Sequence, residues 1–164
     1  MKKTNLMLVK ASLACFALLA CTLFAMYFIE IDGSGSIGIS GVVCGACLWL
    51  FLILGVVLQI VVSARVKYWC KENEIQKTKF KRPIGLIRFC SNGSAMISDV
   101  ALGLSIVAFT ITCIFAPAHM TAFLSLALLV LSFSAHCILN GRNYYYIINN
   151  EYIMTQLKNR RESK

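Results

Sequence analysis

The chain has 164 residues, 59% hydrophobic and only 14% charged, with a mean hydropathy of +0.74 and a net charge of +9. A soluble domain carries about 45–50% apolar and about 25% charged residues, so a soluble fold of this size cannot hide so much apolar surface. The positive balance needs no nucleic acid, because positive-inside bias and attraction to anionic lipid headgroups account for it.

Four apolar stretches divide the sequence. All 16 Lys and Arg residues fall outside them, on alternate connections. The N-terminus, the segment Arg65 to Arg88 and the tail from Arg142 hold 3, 8 and 5 of them, and the two remaining connections hold none. That asymmetry predicts an all-α, integral membrane four-helix bundle with both termini cytoplasmic, a multi-pass protein of a bacterial plasma membrane. The whole chain, 1–164, reads as one transmembrane domain with spans over about 11–29, 39–64, 95–116 and 122–140.

The first span, Ala11 to Ile29, carries small residues at Ala17, Cys21 and Ala25, a spacing that lets another helix approach closely. Lys2-Lys3, an apolar run and Leu18-Leu19-Ala20-Cys21 also resemble a bacterial lipoprotein signal, which would make Cys21 a lipid-accepting cysteine. The apolar run continues beyond Cys21 to Ile29, as an uncleaved span requires, and Lys10 interrupts the leader. A Gly/Ser turn follows.

In the second span, Gly41 and Gly45 form a close-packing motif, and Gln59 offers a hydrogen bond to another helix. Cys44 and Cys47 form a CxxC near its outer start. Length, topology and this pair resemble the four-helix quinone-linked thiol oxidases that reoxidise periplasmic disulfide catalysts. The resemblance implies a redox role for Cys44 and Cys47. It also requires a second cysteine pair in the outer loop between the third and fourth spans, and a basic residue after the CxxC. The loop here, Pro117 to Thr121, has no cysteine, and Leu48 and Trp49 follow the CxxC.

The segment 65–94 reads as a basic cytoplasmic loop. Its first part extends the second helix, Pro83 breaks it, and 84–89 lies on the inner membrane surface. Lys79, Lys81, Arg82 and Arg88 are expected to contact anionic lipid headgroups. Asn92-Gly93 is a turn and Ser94 a candidate helix cap. The third span ends at Pro117, and a very short connection makes a tight antiparallel hairpin with the fourth. Tyr144, Tyr145 and Tyr146 stand where an interfacial aromatic belt belongs, and the tail to Lys164 reads as a fraying helical extension.

Two polar stripes mark this hairpin. Ser125, Ser132 and His136 share one face of the fourth helix, and Asn143 joins it if the helix persists. Asp99, Gly103, Thr110 and Cys113 share a face of the third. Asp99 and His136 lie at similar depth and are expected to be able to pair, as a relay for protons, a cation site, or a fastener of the hairpin. His119 reads as a solvated loop residue. Small multidrug exporters are also four-helix proteins, but depend on a carboxylate in their first helix, and the first span here has none. There is no phosphate-binding glycine loop, no Ser/His/Asp constellation and no metal-ligand spacing, so no cofactor or metal is expected. The expectation is a non-enzymatic accessory subunit or scaffold, a homo-oligomer or part of a larger membrane complex. Its rivals are a proton- or cation-coupled carrier at Asp99 and His136, and a thiol oxidoreductase at Cys44 and Cys47.

Overall fold

The computed structural model describes residues 2–29, 38–73, 75 and 88–162. Helix α1 spans Lys2–Ala25 and ends in a 3-10 turn, Met26–Phe28. Then come α2 (Ile39–Glu72), α3 (Gly93–Phe115), α4 (Met120–Leu139), α5 (Arg142–Ile148) and α6 (Asn150–Glu162). The four long helices are each long and apolar enough to cross a membrane. The protein is an all-α, multi-pass four-helix membrane bundle, as the charge blocks predict.

The helices form an open row. α1 packs against both α2 and α4, α4 packs against α3, and α2 and α3 stand at the two edges. Neighbours run antiparallel. The Ser12 hydroxyl of α1 donates to the Gly55 carbonyl of α2, Tyr27 stacks on Phe123 at the start of α4, and Thr112 meets Ser125 across the α3/α4 seam. Both ends of the chain therefore emerge at one end of the bundle. That end also carries Lys3, Arg65, Lys67, Lys71, Arg88 and Arg142, the end for which the positive-inside rule predicts a cytoplasmic position.

A compact core lies at this inner end. Val9, Val62, Val66, Ile75, Tyr144, Tyr146, Ile147 and Ile153 form one buried cluster, which explains where α1 begins, why α2 extends into the basic segment as expected, and where the tyrosines point. α1 starts at Lys2 because Asn5 and Val9 face this core, so the charged leader is part of the helix. α2 runs on past Ala64 because Val66 packs there. Tyr144 and Tyr146 point inward, and only Tyr145 stays half-buried, so they do not form the lipid-facing belt expected of them. The tail beyond them is helix α6, anchored by the fully buried Ile153.

α4 does not persist into the tail. It stops at Asn140, and at Gly141 a Cβ would come within 2.9 Å of the Cys137 carbonyl oxygen. The chain turns there on close backbone contact that only glycine permits. Asn143 consequently leaves the α4 stripe and belongs to α5.

Candidate functional site

Asp99 stands in the second turn of α3, and His136 in the last turn of α4. The two meet. His136 Nδ1 lies 2.6 Å from Asp99 Oδ1, with 2% and 5% of the side chains exposed. With Asp99 ionised the carboxylate has no hydrogen to give, so Nδ1 carries the proton of this bond. A carboxylate at this depth is tolerable only if its lone pairs are filled. Asn140 Nδ2 donates to the same oxygen at 2.8 Å, and the Cys90 N–H donates to Oδ2 at 2.5 Å. Cys90 has a φ of 53°, a left-handed conformation uncommon outside glycine. That turn aims its N–H at the carboxylate, so the backbone cost at Cys90 is offset by the bond it makes. The Phe89 ring then covers the imidazole, with centroids 4.7 Å apart.

Two asparagines complete the arrangement. Asn140, the C-cap of α4, accepts the Ser91 N–H at 3.2 Å. Asn92, the N-cap of α3, accepts the Ala95 N–H at 2.9 Å and donates to the Leu139 carbonyl at 3.0 Å. Each asparagine thus ties its own helix end to the other helix or to the loop before α3. Asn92 holds the capping position expected of Ser94. His119 has a definite role as well: its ring accepts the Thr121 N–H and caps α4, although it stays exposed.

Along the rest of the seam, Ser132 Oγ approaches Ser105 Oγ at 3.2 Å, and Thr112 Oγ1 lies 2.8 Å from Ser125 Oγ. The expected α4 stripe of Ser125, Ser132 and His136 is therefore the buried face. The α3 side differs. Gly103, Thr110 and Cys113 are exposed, and Ser98, Leu102, Ser105 and Thr112 face α4 with Asp99 at their edge. Apolar residues fill the seam between the polar rungs, so a polar-only stripe misplaced the α3 face.

The packing motifs are distributed differently from their sequence reading. At Gly45 a side chain would meet nothing within 4 Å, and Gly41 is half-buried. The close α1/α2 approach lies at Gly55, where a Cβ would come 3.1 Å from the Phe16 ring. On α1 the face toward its neighbours is Asn5, Val9, Ser12 and Leu19. Ala17 and Ala25 are only half-buried, and Cys21 is exposed. Cys44 and Cys47 are half-buried free thiols in the outer part of α2, and Cys113 is exposed on α3. Arg88 is exposed at the inner end, and Lys79, Lys81 and Arg82 lie outside the described residues. No group of three metal-ligating side chains occurs among the described residues.

Asn140 stands at the edge of the α4 stripe in sequence and Asn92 in the expected turn, but the Cys90 turn escapes a sequence reading because its bond to Asp99 is made by a backbone N–H. The available signal was the pairing of Asn92 and Asn140 at the two ends of one hairpin. No protein family, curated protein or solved structure matches the chain.

Chemically, the donors around Asp99 are all N–H groups. They reach both carboxylate oxygens. The cavity beside His136, about 400 Å³, is otherwise walled by apolar side chains such as Leu102, Ile106 and Phe133. The arrangement suits a clasp that holds the inner ends of α3 and α4 to the loop preceding α3.

Proposed function

We propose that this chain is a non-enzymatic subunit or small scaffold of an assembly in a bacterial plasma membrane, with α2 as its contact surface. The observation that carries this reading is the exposure of α2. It is the most apolar of the four spans, yet only 6% of its membrane-depth window is buried within the chain, against 28% for α1 and α4. Lipid satisfies an apolar face, but one feature of α2 favours protein. The space beside Gly45 is open, which suits the close approach of a second backbone.

The test is substitution at Gly45 and Gly41. Because Gly45 has free space, Gly45→Leu leaves the isolated fold intact and blocks only what packs from outside. Crosslinking in native membranes and sizing in mild detergent should both shift toward the single chain. Unchanged crosslinks and size for Gly45→Leu and Gly41→Leu alike would overturn the reading.

The buried contact of Asp99 with His136 favours a second reading, a proton- or cation-coupled carrier. It requires Asp99→Asn to abolish flux in proteoliposomes without loss of stability. Absence of flux in the unsubstituted protein under every imposed gradient removes it.

A further inference from the structure

A cavity of about 770 Å³ opens between the inner end of α2 and α5. Lys67, Lys71 and Arg142 all line it, together with Ser63, Tyr68 and Asn143. Lys67 and Lys71 are one turn apart on the same face of α2, and Arg142 is the first residue of α5. No carboxylate lines the cavity among the described residues, and none of the three cations forms an ion pair there. All three are exposed, and an anion seated among three like charges lowers what mutual repulsion water leaves unscreened. α5 is placed there by apolar burial of Tyr146 and Ile147, so packing holds the charges together in spite of that repulsion.

The depth is also informative. α2 has 34 residues, and about 20 cross the hydrocarbon core. Counted from its outer start at Ile39, the core ends near Leu58, and Lys67 and Lys71 follow between two and four turns later, beyond the hydrocarbon on the basic side. Val66 and Ile75 supply an apolar wall beside the cations.

We infer that this cavity binds a phosphate group, and that the group belongs to an anionic phospholipid of the inner leaflet whose acyl chains leave the cavity past Ser63 and Ala64 toward the membrane. Lys67, Lys71 and Arg142 contact the phosphate oxygens, Arg142 by a forked pair of N–H donors, and Tyr68 and Asn143 offer neutral hydrogen bonds. The inference does not depend on what α2 assembles with.

The test is native mass spectrometry of the full chain, stripped of lipid in neutral detergent. The chain is titrated with short-chain phosphatidylglycerol, short-chain phosphatidylcholine and inorganic phosphate. One phosphatidylglycerol should bind saturably, and phosphatidylcholine should not. The triple variant K67Q/K71Q/R142Q should weaken binding by at least about tenfold. K3Q/K10Q/K158Q, with the same loss of charge outside the cavity, should bind within about twofold of the parent. Each single substitution should give a partial loss, which keeps the test decisive if the triple variant does not fold. Equal weakening by the two triple variants, or equal binding of both lipids, would overturn the site. Inorganic phosphate that binds as tightly as phosphatidylglycerol would keep the phosphate site and overturn its assignment to lipid.

Discussion

Asp99 is a buried acid that is costly to leave unpaired. Its oxygens hold the N–H groups of His136, Asn140 and Cys90, so truncation orphans three donors at once. Asp99→Ala should destabilise the protein by about 3 kcal/mol, the low end for one partner removed from a buried pair, since the exposed Cys90 can turn its N–H to water. Asn140→Ala should cost about 1–3 kcal/mol. The double variant should lose clearly less than the two added together, because the residues share one network. Unfolding midpoints in mixed detergent measure all three. Full additivity would mean that the two side chains act separately. Ser105→Ala should cost under about 1 kcal/mol, because the Ser105 hydroxyl already donates to Ala101 within its own helix. Asp99 and His136 were legible in the sequence from depth and polarity alone. Asn140 lay at the edge of the same stripe, but the Cys90 donor was hidden, since a backbone N–H carries no side-chain signature and the left-handed turn at Cys90 leaves none in a cysteine.

The helices as elements follow from apolar run length, and their ends follow from tertiary contacts that run length does not reveal. The first span reads in sequence as beginning after Lys10, yet the helix starts at Lys2 because its leader packs in the inner core. Hydropathy registers the charge of Lys3 and Lys10 and is blind to the burial of Asn5 and Val9 on the opposite side. The same blindness hid the α1/α2 contact. A glycine pair with GxxxG spacing attracts attention, whereas Gly55 stands alone and still receives the Phe16 ring and the Ser12 hydroxyl. The two glycine positions therefore separate folding from association. Gly55→Leu should overpack the α1/α2 seam and cost about 1–3 kcal/mol, seen as a lower unfolding midpoint of the single chain. Gly45→Leu should leave that midpoint within about 0.5 kcal/mol. A large loss at Gly45 would show that its open side is needed within the chain, and would remove the logic of using it to probe assembly.

At the scale of the molecule, the charge blocks and the row of helices are one fact seen twice. Antiparallel neighbours bring the start of α1, the ends of α2 and α4 and the start of α3 to the same end, so basic residues far apart in sequence become one positive surface. The opposite end, formed by the 3-10 turn Met26–Phe28, the start of α2 and the α3/α4 connection, has no Lys or Arg among its described residues. A charge bias this complete fixes the orientation during insertion, and native cysteines allow it to be read. Cys90 is exposed at the basic end, and Ala118 is exposed in the opposite connection. In a variant retaining Cys90 as its sole cysteine, a membrane-impermeant maleimide should leave intact cells unlabelled and should label inside-out vesicles. With Ala118→Cys as the sole cysteine, the pattern should reverse. Labelling of Cys90 from outside would invert the protein and place the Lys67, Lys71 and Arg142 cavity in the outer leaflet. Labelling of both positions from one side would break the antiparallel row itself, since no arrangement of four membrane-crossing helices puts the two ends of α3 on the same face.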